Sequence, residues 1–126
     1  MTNLDLMCME EITKVLIDNG MPANLQGFKY FQRAIALVVF EPSKIKKVTR
    51  ILYPEVGREF NVTGAVVERS MRHAMEKAYF KTGFKTLNKV FGLESSKEGY
   101  KPTNVELIAI VAEALRLRVK KEENIA

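Results

Sequence analysis

Residues 53–72 read YPEVGREFNVTGAVVERSMR, and their spacing predicts two helices joined by a tight corner. The first helix must pack across the second, which requires an apolar residue, then a very small one, and another apolar residue one turn later. Val56, Gly57 and Phe60 occupy those places. The pattern indicates a helix-turn-helix, so DNA binding is the leading interpretation.

The corner and the second helix have their own requirements. A corner needs a residue that tolerates an unusual backbone angle, then an apolar plug, then a capping oxygen for the next helix. Asn61, Val62 and Thr63 supply these in order. The second helix should then bury one stripe, which consists of Val67, Met71, Ala74, Met75 and Ala78. Its opposite face carries Glu68, Arg69, Arg72 and Glu76.

That opposite face has the chemistry to read base edges. An arginine can bind guanine O6 and N7 with two hydrogen bonds, and a carboxylate can accept a hydrogen bond from cytosine N4. The predicted base readers are therefore Glu68, Arg69 and Arg72. A plainer alternative is open, because Glu68 and Arg72 lie four residues apart and can form a surface ion pair worth about 0.2–0.5 kcal/mol. Thr63, beside the positive end of the helix, is a candidate phosphate contact.

Positive charge is concentrated around the motif. The whole chain carries a net charge of +5, and the segment from Lys44 to Lys101 holds thirteen Lys or Arg against six Glu and no Asp. Such a basic field is typical of phosphate binding. Lys44 and Lys47 are candidate contacts to the DNA backbone, and a solvated helix face is the alternative interpretation of the same lysines.

His73 is the only histidine of the chain. It has no second histidine or cysteine within ligand spacing, so a structural or phosphate-contacting role is favoured over a metal site. No phosphate loop of the form GxxxxGK, no GxSxG elbow and no HExxH motif is present, and the sequence does not indicate an enzyme or a cofactor.

Length and composition predict one domain over residues 1–126, with residues 1–11 as a flexible end. Cys8 is the only cysteine, which excludes an intramolecular disulfide and fits a reducing cytoplasm. No apolar run approaches the roughly 20 residues needed to cross a bilayer, and acids stand where a signal peptide would have bases. We therefore expect a cytoplasmic protein without a membrane partner.

The rest of the chain also shows helical periodicity. A first helix should end at Asn19 and Gly20, and a second should run over about residues 25–39. Ser43 is predicted to cap a third helix that turns four residues inward: Ile45, Val48, Ile51 and Leu52. A short helix is predicted around Leu87, Val90 and Phe91, closed by Gly92. No stretch alternates with a period of two, so the expected class is all-α.

The last predicted helix opens with a capping box formed by Thr103 and Glu106. A buried stripe should follow, made of Ile108, Val111, Ala112 and Leu115. Pro102 precedes the box. Pro54 suits the first turn of the helix that opens the helix-turn-helix, because its missing N–H would be unpaired there.

Several blocks of residues, taken in order, resemble one known family. The blocks are Met21-Pro22-Ala23, Gly27-Phe28, Leu52-Tyr53-Pro54, Phe60-Asn61, Val67-Glu68-Arg69, Arg72-His73-Ala74, Lys101-Pro102-Thr103-Asn104 and residues 112–116. Together they are similar to the C-terminal effector domain of the stage-zero sporulation regulator A of endospore-forming bacteria. The resemblance runs from about Ile12 to Arg118.

The resemblance implies a fold and a function. Domains of this family are six-helix bundles around a helix-turn-helix, of the winged-helix-like superfamily without a prominent wing. They bind double-stranded DNA at tandem copies of a box close to TGTCGAA, and they activate or repress promoters. The residues matching Glu68 and Arg69 face bases in the major groove, and those matching Arg72 and His73 lie on the same side. The implied partners are DNA, a second copy on tandem sites and the RNA polymerase sigma subunit.

Two departures from the family pattern matter. Ala65 and Val66 stand where the family usually has serine and arginine, and that arginine is an expected base reader. One lost bidentate contact removes about 1–3 kcal/mol of discrimination at a base pair. This keeps a second hypothesis open, a protein-interaction module that binds a full-length regulator or RNA polymerase. The family protein also carries a receiver domain ahead of this one, so we expect either a protein that works without it or an excised part.

Overall fold

The computed structural model describes residues 3–85 and 101–125, and within these ranges the chain forms helices and contains no strand. The α-helices are α1 (Asn3–Asp18), α2 (Gln26–Phe40), α3 (Tyr53–Phe60), α4 (Gly64–Thr82) and α5 (Asn104–Ile125). The predicted all-α class is confirmed. The short helix predicted around Leu87, Val90 and Phe91 lies outside the described residues, which contain five α-helices against the six helices expected for the bundle.

Helix α2 forms the centre of the bundle and packs against α1, α4 and α5. Its predicted inward side chains are all buried: Phe28, Phe31, Ala34, Ile35 and Val38. At Gly27 the helix crosses α4 so closely that a Cβ atom would collide with the Ser70 carbonyl oxygen and lie 2.8 Å from the Ala74 Cβ. Glycine is therefore what permits α2 and α4 to touch beneath the predicted reading face.

Helix α1 begins at the first described residue of the chain. The helix covers Asn3–Asp18, and Cys8 is buried in the core with Ile12 and Leu16. Residues 1–11 were expected to form a flexible end; the described part of that segment, residues 3–11, forms the first turns of α1 and packs on the bundle. The predicted stop is confirmed, since Gly20 follows in the left-handed region with φ 83°.

The predicted third helix is not an α-helix. Residues Pro42–Lys47 form a 3-10 helix and residues Val48–Leu52 a π-helix that runs directly into α3. Ser43 does not cap this segment with its side chain. Because the winding differs from 3.6 residues per turn, the predicted inward set is only partly buried. Val48 and Leu52 are buried, whereas Ile51 is 40% exposed.

Helix α5 begins as predicted. The Thr103 N–H donates to Glu106 Oε1 at 2.9 Å, and the Glu106 N–H donates to Thr103 Oγ1 at 3.1 Å, which is the reciprocal capping box. The predicted stripe of the helix is buried: Ile108, Val111, Ala112 and Leu115. In the described part of the chain, no helix combines the length and the apolar character needed to span a membrane.

Candidate nucleic-acid interface

The corner between α3 and α4 has the geometry that the sequence predicts. Asn61 ends α3 in the left-handed region, with φ 59° and ψ 41°. The backbone N–H groups of Asn61 and Val62 both donate to the Gly57 carbonyl oxygen, the latter at 2.9 Å. A Cβ atom on residue 57 would collide with the Val62 carbonyl oxygen, so the chain can turn this tightly only over a glycine. The corner fixes where α4 begins relative to α3.

Thr63 caps the start of α4. Its extended backbone (φ −80°, ψ 162°) places Oγ1 where it accepts a hydrogen bond from the Val66 N–H at 3.2 Å. A cap of this kind stabilises a helix by about 1 kcal/mol. The hydroxyl group is exposed at the helix end, and it can still donate its own proton to an acceptor such as a phosphate oxygen.

The inner face of α4 is fully packed. All five residues of the predicted stripe are at most 1% exposed: Val67, Met71, Ala74, Met75 and Ala78. Because side chains on opposite sides of a helix point in opposite directions, this packing directs the other face into solvent. The hydrophobic stripe therefore determines which side chains α4 presents.

The outer face brings the predicted readers together. Arg69, Arg72 and His73 are exposed, and Glu68 lies beside them at the edge of the face. Arg72 Nη1 lies 2.8 Å from Glu68 Oε1, with the two side chains 56% and 36% exposed. The ion pair that the spacing allowed is thus present in the free protein. It occupies one of the five N–H donors of the Arg72 guanidinium group, and the others can still bind a ligand.

Two residues that sequence reasoning did not select lie next to this face. Tyr53, at the start of α3, and Asn104, at the start of α5, border a groove of about 430 Å³ together with Glu68 and Arg72. The Asn104 Nδ2 atom donates to the Glu68 carbonyl oxygen at 3.2 Å, and the Asn104 side chain lies close enough to the Tyr53 hydroxyl to lower its pKa. Both residues fall in blocks that carry the family resemblance, but their contact joins distant parts of the chain.

The environment of Tyr53 disfavours its ionisation. Burial raises the pKa of the Tyr53 hydroxyl above its ordinary value and outweighs the hydrogen bond from Asn104, which acts in the opposite direction. The charge of Glu68 raises this pKa further, whereas that of Arg72 lowers it. The hydroxyl therefore stays neutral at physiological pH, and the charges of both members of the ion pair affect its pKa.

A second groove, of about 350 Å³, lies on the other side of the outer face. It is bordered by the start of α2 and by Arg69 and His73 of α4. Leu25 precedes α2 and has no side-chain oxygen with which to cap it. The positive end of the α2 dipole thus adjoins two exposed basic side chains, which is a favourable setting for DNA phosphates.

The structure separates the two lysines that were expected to contact the DNA backbone. Lys44 Nζ lies 2.6 Å from Glu55 Oε1 and 3.1 Å from Glu41 Oε2, and its side chain is only 16% exposed. The hydrogen bond to Glu55 is the main cause of a raised pKa for Lys44. Lys44 therefore ties the 3-10 segment to α3 in the free protein, and its contact with a DNA phosphate stays a prediction. Lys47 is exposed.

Comparison with known families agrees with this geometry. A family model described as the sporulation initiation factor Spo0A C terminal matches residues 12–115. The match covers the corner, the whole of α4 and most of α5, including the residues that border the two grooves. The family is one of DNA-binding regulatory domains and is not an enzyme family. The chain therefore belongs to the Spo0A C-terminal family, whose members are DNA-binding effector domains in the regulation of sporulation.

Proposed function

We propose that the protein is a sequence-specific transcription regulator that inserts α4 into the major groove and reads a box close to TGTCGAA. One observation carries the proposal. The buried stripe and the corner hold α4 so that Arg69 projects from the protein with its neighbours Glu68 and Arg72. A DNA reader of this kind works on the chromosome, in the cytoplasm.

The side chains of the outer face would have different roles in DNA binding because their chemistry differs. Arg69 is exposed and suits guanine O6 and N7, while the Glu68 carboxylate suits cytosine N4. Arg72 holds that carboxylate at 2.8 Å in the free protein, which orders Glu68 before DNA arrives. Ordering a side chain in advance lowers the entropic cost of binding. Arg72 and His73 would then support the reading pair from the same side.

Contacts to the DNA backbone would come from the edges of this face. The Thr63 hydroxyl lies at the positive end of α4, and Lys47 is exposed on the segment that leads to the groove beside Arg72. Phosphate contacts of this kind set the position of a protein on DNA without specifying sequence. Each neutralised phosphate makes the affinity fall with rising salt.

A single α4 reaches only a short box, so useful affinity should come from two copies side by side on tandem boxes. The test compares duplexes that carry one box and two boxes. Tighter binding per protein to the two-box duplex, with a sigmoidal titration, supports the pairing of copies. Equal affinity for the two duplexes would contradict it.

The central experiment is a fluorescence anisotropy titration against a two-box duplex and a scrambled duplex of equal length, at two salt concentrations. Wild-type protein should prefer the boxes by tenfold or more, about 1.4 kcal/mol. Arg69→Ala should abolish most of that preference. Lys77→Ala is the matched control, because it removes the same charge from α4 about 12 Å further along the axis and on another side.

The outcomes separate reading from electrostatics. If Lys77→Ala weakens binding to both duplexes alike and keeps the preference, whereas Arg69→Ala removes it, Arg69 reads bases. If both variants lose affinity equally on both duplexes, the outer face contributes charge alone and the proposal of base reading is wrong.

A second candidate function is a protein-interaction module that binds a full-length regulator or the RNA polymerase sigma subunit. Phe80 favours it, because this large apolar side chain on α4 is 92% exposed. The replacement of a family arginine by Val66 also favours it. If this function is correct, Arg69→Ala should still bind the regulator or the sigma subunit, whereas Phe80→Ser should not. A protein that only reads DNA should bind neither the regulator nor the sigma subunit.

A further inference from the structure

Three helices meet at the side chain of Asn104. Asn104 is the first residue of α5, and its Nδ2 atom donates to the Glu68 carbonyl oxygen of α4 at 3.2 Å. The same side chain lines one groove with Tyr53, the first residue of α3, and interacts with its hydroxyl. One amide group thus connects the starts of α3 and α5 to a single turn of α4.

The carbonyl oxygen that Asn104 contacts belongs to the turn of α4 that presents two predicted base readers. In an α-helix the carbonyl oxygen of residue 68 also accepts a hydrogen bond from the N–H of residue 72. The Asn104 amide therefore binds to the turn that begins at Glu68 and ends at Arg72, whose side chains form the ion pair of the outer face. A shift of the amide would tilt or loosen the turn that presents both side chains.

Capping of α5 does not require this amide. Thr103 and Glu106 already cap the helix through their reciprocal hydrogen bonds, so the Asn104 side chain is free to reach across to α4. Tyr53 is 4% exposed, which limits its movement, and it lies beside the amide in the same groove. The Asn104 side chain thus links the start of α5 to the turn of α4 that carries Glu68 and Arg72.

We propose that Asn104 is a positioning residue for base reading, which sets the orientation of the Glu68–Arg72 turn through the Glu68 carbonyl oxygen, with Tyr53 fixing the amide. This inference rests on the proposed function, since it assumes that the outer face reads DNA. It assigns a role in specificity to two residues that need not touch a base.

The first test measures the preference for a two-box duplex over a scrambled one. Asn104→Ala should lower this ratio by about tenfold and leave the affinity for the scrambled duplex unchanged, because the charges that bind phosphates are unaltered. Tyr53→Phe keeps the ring, removes the hydroxyl and should lower the ratio by about threefold. Thr103→Ala is the control: it weakens the same helix start without touching Glu68, so it should lower the melting temperature and keep the ratio.

The second test needs no DNA. Amide hydrogen exchange by NMR should be at least tenfold faster at Arg72 in Asn104→Ala than in wild type, with Ile35 of α2 unchanged. An unchanged ratio with an unchanged rate at Arg72 overturns the proposal, as does a uniform rise in exchange across all helices with the ratio preserved. If wild-type protein prefers neither duplex, the proposed function fails, and the rate at Arg72 still decides whether Asn104 holds the turn.

Discussion

The two faces of α4 carry out different tasks on the same helix. The inner face is at most 1% exposed and contacts the core, whereas Arg69, Arg72 and His73 on the outer face are exposed and, within the described residues, the Glu68–Arg72 ion pair is the main contact there. The inner face therefore determines where α4 lies, and the outer face determines what it can bind. Substitutions on the two faces should be separable, the first changing stability and the second changing recognition.

The largest expected effect lies on the inner face. Met71 is 0% exposed, so Met71→Ala removes a buried methylene, the sulfur and the terminal methyl group and leaves a cavity, which should lower the free energy of unfolding by about 2–5 kcal/mol. Urea denaturation followed by circular dichroism measures this change. DNA affinity of the folded fraction should be retained, and a loss of DNA affinity without a loss of stability would contradict the separation of the faces.

The next effect lies on the outer face. Arg69→Ala should remove about 1–3 kcal/mol of discrimination between the correct and an altered base pair, because one bidentate contact is lost. Its free energy of unfolding should change by less than about 0.5 kcal/mol, as is usual for exposed positions. Anisotropy titrations on a set of duplexes with single base-pair changes, combined with a urea titration, measure both quantities. A destabilisation comparable to that of Met71→Ala would show that the outer face also supports the fold.

The difference between the faces also explains which features the sequence predicts. The inner stripe, the left-handed Asn61 and the cap at Thr63 all follow from local rules, namely helical periodicity and the needs of a tight turn. Gly57 follows in the same way, because the corner leaves no room for a Cβ atom. The fold and the reading face could be predicted from the sequence for this reason.

The features that sequence reasoning missed depend on contacts between distant residues. The sequence indicates Lys44 as a phosphate contact, but its ammonium group forms ion pairs with Glu55 of α3 and with Glu41, which precedes the 3-10 helix that contains Lys44. The link between Asn104 and Glu68 spans 36 residues, and no local pattern indicates it. The early start of α1 is an exception, because Leu4, Met7 and Cys8 continue the stripe of Ile12 and Leu16 at helical spacing and a local pattern therefore did indicate it.

Thr63 tests the boundary between the two faces. Thr63→Ala removes the oxygen that accepts from the Val66 N–H, so the free energy of unfolding should fall by about 1 kcal/mol. If the hydroxyl also binds a phosphate, affinity should fall equally for box and scrambled duplexes. Thr63→Ser keeps the hydroxyl and is the control, which should restore most of both quantities. A change in the preference between the duplexes would mean that Thr63 takes part in base reading.

The smallest expected effect concerns the Glu68–Arg72 ion pair, which can either support the helix or serve recognition. A double-mutant cycle with Glu68→Gln, Arg72→Gln and the double variant isolates the coupling between the two charges. Because both side chains are partly exposed, the coupling in the free energy of unfolding should be about 0.2–0.5 kcal/mol, and it should shrink as salt screens the charges. The same cycle in DNA titrations should give a larger coupling, since each partner orders the other at the interface. A coupling above about 1 kcal/mol in the free energy of unfolding, unaffected by salt, would show that the ion pair stabilises the fold. The outer face would then contribute to stability as the inner face does.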